Sequence, residues 1–306
     1  MNKLKLGLKI LLGLVFILSA VLKLIDIDKF EIYVYSFNFF GLSLSYIAAR
    51  LLIAFEFLLG IALIANIFNK YVTRITLATL VAFTSFLVYL IIVGRNDNCH
   101  CFGEYLPFNP IESIIKNIIF IAILLFCWNV KPFKICYRKY VIAIWGFVSI
   151  APFVAVFIIS PPDNFVKYPT QAKYSINEEL FAQHIAPEGA LDTLNISEGK
   201  KIVTLYSPNC KYCKLSARKL NTIQERVGIP EKDIITVFGG DVVDLTPFYT
   251  ETETTPLQPM FMDADLFLPL TYGRFPAILL LNNGEVVKAF QYRSISESDI
   301  EQFFLE

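Results

Sequence analysis

Charge is scarce in this sequence. Only 18% of its 306 residues are charged, while 55% are hydrophobic and 15% aromatic, against about 25% charged and roughly 45–50% apolar in an ordinary soluble domain. That deficit excludes a single water-soluble fold. A surplus of one sign is also lacking: 27 Lys+Arg balance 27 Asp+Glu, which excludes a protein that holds nucleic acid through a broad basic surface. A clear small-x-small cleavage site is missing after the first apolar stretch, although Lys3, Lys5 and Lys9 precede it. The stretch is long, ends in Lys23 and leads into more of the same, so it predicts a membrane span and not a cleaved signal peptide.

The charge that is present is unevenly spread. Residues 1–160 carry 14 basic and 7 acidic side chains, a net of +7, and residues 161–306 carry 13 basic and 20 acidic, a net of −7. Such asymmetry predicts two domains in different surroundings. The basic half holds five apolar runs, about Leu4–Ile25, Leu44–Phe68, Val72–Val93, Ile111–Trp128 and Tyr140–Ser160, each near the ~20 residues that cross a bilayer as a helix. Short basic loops stay on the cytoplasmic side. Those loops are the N-terminus, the loop with Lys70 and Arg74, and the loop with Lys131, Lys134, Arg138 and Lys139; the loops with Asp26, Asp28, Lys29 and Glu31, and with Arg95, Asp97 and Glu104, alternate with them. The expectation is a cytoplasmic N-terminus in a bacterial inner membrane, five crossings, and an acidic half in the periplasm.

That second half leaves the last span through Pro161-Pro162-Asp163-Asn164. A polar stretch to about Gly199 follows, and then an α/β pattern. Ile202–Tyr206 and Ile234–Phe238 read as strands, Cys210 to about Arg226 as a helix, and Ala277–Leu281 with Glu285–Phe290 as a hairpin turned by Asn-Gly. Ser296 and Asp299 offer a capping box for a last helix through Phe304. Order and contents resemble a thioredoxin fold over roughly residues 190–306. The resemblance is carried by Ser207-Pro208-Asn209-Cys210-Lys211-Tyr212-Cys213 at a strand-to-helix junction and by Arg274-Phe275-Pro276 before the hairpin. It implies a cis peptide at Pro276, lying against the dithiol. The sequence departs from the family pattern in having no Trp before Cys210, Lys-Tyr between the cysteines, and no acid in the preceding strand.

Six cysteines follow this topology. Cys210 falls at a helix N-terminus, where free N–H groups and the macrodipole favour a thiolate, with Lys211 and Lys214 nearby. It is the expected attacking thiol, and Cys213 the resolving one. A structural disulfide and half of a zinc site are the competing readings, but zinc needs more than two thiols and His184 is the only histidine in this half. Cys99-His100-Cys101-Phe102-Gly103 falls in an outer loop. A Cys-x-Cys disulfide closes a small, strained ring that exchanges readily, so the pair is a candidate redox centre; a static clip or metal ligation with His100 are its alternatives. Cys127 and Cys136 fall on the cytoplasmic side, where reduced thiols are the default.

The first half, over about residues 4–130, is similar to the DoxX-like/MauE family. Gly13, Phe16, Ser19-Ala20 and Lys23, the Glu56-x-x-x-Gly60 pattern and the Cys-x-Cys-Phe-Gly loop carry that similarity. It implies a four-helix bundle tied to respiratory or disulfide-linked redox functions, to which the fifth span is an addition. No cysteine pair lies in mid-membrane, which argues against a transporter of the CcdA/DsbD type. A vitamin K epoxide reductase relative is expected to have a membrane-embedded Cys-x-x-Cys and further loop cysteines, and the first loop here has none. Glu56 lies near the middle of its span, where a charge is expensive. It serves either proton exchange at a quinone or helix packing, paired with Arg50 or Lys23; Lys23 by itself reads as snorkelling to the interface.

The domains expected are a five-span bundle at 1–160, an extension at 161–189 and a thioredoxin-like domain at 190–306. The function expected is a membrane-anchored thiol–disulfide oxidoreductase. It passes electrons between Cys210/Cys213, Cys99/Cys101, periplasmic client thiols or disulfides and a quinone, with no cofactor needed in the thioredoxin-like domain. A non-catalytic subunit or assembly factor of a membrane complex is the alternative. The stretch from Asp241 to Phe261 reads as a recognition loop or an insertion, with Thr250-Glu251-Thr252-Glu253-Thr254 as solvated surface.

Overall fold

The computed structural model describes residues 2–95, 101–104, 108–131, 138–165, 176–186, 188–189, 191–241, 243–255 and 259–305. It divides into two compact units, Met1–Val34 with Leu44–Pro162, and Tyr35–Ser43 with Asp163–Glu306.

The first unit contains α1 (Asn2–Ile25), α2 (Ile27–Tyr35), α3 (Leu42–Ala65), α4 (Asn69–Ile92), β1 (Cys101–Glu104), α5 (Pro110–Phe126) and α6 (Arg138–Ile159). Each of the five apolar runs is helical. Among the described residues, Lys3–Ile25, Leu42–Ala65 and Asn69–Ile92 have the length and apolarity to cross a membrane. α5, at 17 residues, sits at the lower limit of about 17–25 for a span. Its start is set by Pro110 in the first turn and by a capping box between Asn109 and Glu112. α1 and α3 meet at Gly13 and Gly60, where a Cβ on either would stand 2.8 Å from the other's carbonyl oxygen. Only glycine lets the two backbones come so close. The segment after the first span, read as a loop, is the nine-residue α2; its three charged positions, Asp28, Lys29 and Glu31, mask the apolar face formed by Ile27, Phe30 and Val34, all buried.

Buried charge is the second surprise. Arg50, 2% exposed, donates to Glu31 Oε2 at 2.8 Å, to the Tyr46 carbonyl at 2.8 Å, to the Ser160 carbonyl at 2.7 Å and to the Pro161 carbonyl at 3.2 Å. A guanidinium suits this task because its five donors form a fixed fork, here satisfying carbonyls left open at the end of α6. Arg50→Met is expected to cost about 3–5 kcal/mol, the effect of stranding the partner of a buried ion pair. The check is the detergent-solubilised chain's thermal unfolding, with Arg50→Met/Glu31→Gln recovering part of the loss. Lys9, counted in the sequence as a cytoplasmic charge, is buried as well. It donates to Asn66 Oδ1 at 2.8 Å and to Asn69 Oδ1, whose amides hold the carbonyls of Lys131 and Val130.

The second unit contains α7 (Glu178–Ile185), β2 (Lys200–Tyr206), α8 (Lys211–Val227), β3 (Ile234–Gly239), α9 (Thr246–Thr252), β4 (Pro259–Met262), α10 (Ala264–Thr271), β5 (Ala277–Asn282), β6 (Glu285–Phe290) and α11 (Glu297–Leu305). The sheet order is β4-β3-β2-β5-β6. β2 runs parallel to β3 and antiparallel to β5, and β6 completes the antiparallel hairpin. Asn283 and Gly284 turn that hairpin at φ of 49° and 82°, the left-handed positions a two-residue turn requires. This mixed sheet with its β2-α8-β3 crossover is the thioredoxin-like arrangement. Alternation along β2 sends Val203 and Leu205 to one face, where they pack with Ile235, Val237, Phe181, Phe267 and Leu279. Thr204 and Tyr206 go to the other. Asp241–Phe261, read as loop or insertion, supplies α9 and the start of edge strand β4. Its Thr/Glu run is only partly solvated: Thr252 is 1% exposed, because Glu251 and Glu253 reach Lys214 and Arg218 and draw the segment down.

Candidate functional site

The dithiol lies where β2 passes into α8. Cys210 is the N-cap of α8, half-buried, and its sulfur accepts the Cys213 backbone N–H at 3.3 Å. Cys213, fully buried in the first turn, accepts the Ser207 backbone N–H at 3.3 Å. Both thiols are free. Their acidities diverge. The Cys213 thiol, hydrogen-bonding to Cys210, does most to lower the Cys210 pKa to about 6; the backbone N–H groups of Cys213 and Tyr212 and the charge of Lys214 add to this against the cost of burial. Burial, and then the same thiol–thiolate contact, push Cys213 far up. One sulfur is therefore a nucleophile at neutral pH and its neighbour a protonated reserve. The helix terminus expected from the sequence contributes, but the other cysteine contributes more.

The Phe275–Pro276 peptide is cis, and Pro276 is buried ahead of β5. Tyr212, between the cysteines, lies 5.6 Å from the Tyr292 ring. Lys219, buried on α8, donates to the Tyr292 carbonyl at 3.2 Å and sits over its ring. A lysine inside an amphipathic helix gave no hint of this in the sequence.

In the first unit, Cys101 opens β1; Cys99, Cys136 and the Cys101 side chain lie outside the described residues. β1 rests on α1. Gly103, at φ 63°, leaves room for only 3.0 Å between an added Cβ and the Leu22 carbonyl oxygen, so the glycine of Cys-Phe-Gly is dictated by backbone contact. Phe102 is buried, with Lys116 Nζ 4.5 Å from its ring centroid and Phe108 edge-on at 5.8 Å. The next residue of α1 is Lys23. It does not snorkel: it is 5% exposed and pairs with Glu56 at 2.5 Å. Ser19 Oγ accepts from Lys23 and donates to Glu56 Oε2, each at 3.1 Å. Pairing overrides snorkelling because Glu56, in the span, offers a countercharge the lysine can reach. Arg50, the other partner considered for Glu56, is taken by Glu31. Cys127 donates to the Lys5 carbonyl at 3.2 Å.

A thioredoxin-like sheet bearing a reduced dithiol, in one chain with a bundle of apolar helices, defines a membrane protein with a thioredoxin-like redox-type domain. Residues 1–129 match the family described as methylamine utilisation protein MauE, so the N-terminal part of the chain is a MauE-type membrane domain. The chain is 26% identical over 295 aligned positions to Protein TlpB of Flavobacterium psychrophilum, with 80% of this chain and 79% of that protein covered. Among solved structures, a secreted Mycobacterium tuberculosis disulfide oxidoreductase homologous to E. coli DsbE aligns with 37% of this chain and 84% of its own, at 13% identity and a TM-score of 0.26.

Proposed function

We propose that this chain is a membrane-anchored thiol–disulfide oxidoreductase. The observation that carries the reading is the dithiol's geometry: Cys210 caps α8 half-buried and accepts the Cys213 N–H at 3.3 Å, which favours its thiolate, while Cys213 beside it is fully buried, which favours its thiol. At pH 7 the lowered pKa favours the thiolate form of Cys210. Cys210 attacks a client disulfide; its electron pair forms the mixed disulfide and the displaced client sulfur leaves as thiolate. Cys213 then loses its proton and attacks Cys210 Sγ, releasing the second client thiolate and leaving the Cys210–Cys213 disulfide. Run backwards, the same steps oxidise a client. Pro276, cis and buried ahead of β5, is the residue that the fold resemblance places against this dithiol.

The proposed membrane partner is Cys99/Cys101, in a domain spanning 1–160 that crosses the inner membrane five times with its N-terminus in the cytoplasm. An extension at 161–189 leads to the periplasmic domain at 190–306. Tethering makes exchange between the pairs intramolecular, at an effective concentration on the order of millimolar. The buried Lys23–Glu56 pair lies where β1 meets α1, and supports proton uptake and release there. A quinone would supply a two-electron, two-proton acceptor or donor. The test is the redox state of both cysteine pairs in native membranes, read by thiol alkylation with and without quinone. Quinone depletion is expected to shift Cys210/Cys213 in the wild type and to leave it unmoved in Cys99→Ser/Cys101→Ser. If depletion changes nothing in the wild type, the quinone link fails.

A further inference from the structure

Cys213 has to shed a proton from a fully buried sulfur each time a mixed disulfide is resolved. Titratable carboxylates are missing from β2, whose inward residues toward α8 are Thr204 and Tyr206. Both are buried, and among the described residues the Tyr206 hydroxyl faces only that of Thr204, with no partner at full hydrogen-bonding distance. A buried hydroxyl without a full hydrogen bond is costly and calls for an explanation.

The surroundings supply one. Tyr206 is joined through the next peptide to Cys213, whose sulfur the Ser207 N–H contacts. On its other side it lines a cavity of about 30 Å³ beneath α8, roomy enough for a water molecule. The wall is rich in hydroxyls: Thr204, Tyr206 and Thr236 from the sheet, and Tyr249, Thr254 and Thr255 from the segment around α9. Thr204 and Thr236 are register partners, so the two strands present their hydroxyls side by side. Tyr249 is a second such hydroxyl, buried without a partner among the described residues. Thr254 is half-buried and Thr255 exposed, so the polar lining runs from Tyr206 to solvent. Phe238 and Phe248, 5.1 Å apart and edge-to-face, hold Tyr206 from below at 6.4 and 6.3 Å.

We infer that this hydroxyl-lined cavity is the proton route for Cys213, with water held between Tyr206 and Thr204 and its mouth at Thr254–Thr255. The inference rests on the dithiol reading above. In resolution, the Cys213 proton passes to water at the Tyr206 hydroxyl and out along the cavity; the thiolate's electron pair forms the Cys210–Cys213 bond, and the bond from Cys210 to the client breaks with its pair leaving on the client sulfur. Tyr206 is a positioning residue. Burial makes the Tyr206 hydroxyl a weaker acid by pushing its pKa up, which keeps it a neutral donor. The segment between Asp241 and Phe261 thereby acquires a role, since α9 and the threonines after it roof the path.

The test uses the full-length chain in detergent, with Cys99, Cys101, Cys127 and Cys136 changed to Ala, fully reduced and mixed with the chromogenic disulfide dithiobis(nitrobenzoate). The first thiol released reports attack by Cys210 and the second reports resolution by Cys213. In Tyr206→Phe the first release is expected to keep its rate and pH profile, while the second slows by about tenfold, the effect of losing one hydrogen bond to a charged group. The deficit narrows as pH rises and hydroxide takes the proton directly. Thr204→Val, of nearly equal shape, shifts the second step in the same direction. A second release unchanged in both variants overturns the route, as does an equal loss in both steps, which would signify packing damage. Absence of a second release in the parent protein overturns the dithiol reading itself, and this proposal with it.

Discussion

Cys213→Ser is expected to convert a transient intermediate into a stable one: a disulfide between Cys210 and a client, recovered from cells as a thiol-sensitive, higher-mass band. Serine cannot displace the client sulfur, so the complex persists. The predicted effect is near-complete loss of turnover with retained first attack, whereas Cys210→Ser loses both. A pH dependence accompanies it. The Cys210 pKa is lowered to about 6 chiefly by the Cys213 thiol, and the thiolate is the reactive form. Alkylation of Cys210 by iodoacetamide therefore rises as pH passes upward through about 6 and is level above it. In Cys213→Ala that hydrogen bond is gone, so the midpoint moves up and the rate at pH 6 falls. Full activity of Cys210→Ser, with no mixed disulfide trapped in Cys213→Ser, would favour the non-catalytic subunit instead.

The second large effect concerns Lys23 and Glu56. Lys23→Met leaves a carboxylate buried at 9% side-chain exposure without its cation, an expected loss of about 3–5 kcal/mol by the behaviour of broken buried pairs. Lys23→Met/Glu56→Leu removes both charges and is expected to regain most of that stability, since apolar replacement of a buried pair is often neutral. Stability and function then separate. If the pair moves protons beside β1, the double variant melts near the wild-type temperature in detergent yet loses exchange between Cys99/Cys101 and Cys210/Cys213 in membranes. If it only fixes helix packing, exchange survives, and the proton role is refuted.

Much of this protein is written in short-range pattern. Runs of about 20 apolar residues form helices wherever they occur, and Asn283-Gly284 turns its hairpin because the two residues tolerate positive φ. Cys210 and Cys213 share the first turn of α8 because the strand before them ends at Tyr206. Each of these depends on neighbours within a few residues. α2 escaped detection because its charges hide a short apolar face, and α9 because its Thr/Glu composition resembles solvated chain.

What only the tertiary structure decided is which distant groups meet. Lys23 finds Glu56 across 33 positions, Arg50 finds Glu31 and the Ser160 carbonyl, and Lys9 finds Asn66 and Asn69. Thr204 and Tyr206 from β2, Thr236 from β3 and Tyr249 from α9 converge on one cavity from three stretches of chain. By itself the sequence determined that the chain is membrane-bound, that it carries a thioredoxin-like domain, and where its dithiol lies. It could not rank Arg50 against Lys23 as partners of Glu56, or foresee that Cys213 does more than the helix terminus to acidify Cys210. The physical reason is that burial makes a charge or hydroxyl costly only after packing has removed water, and the partner that offsets the cost is chosen by packing geometry.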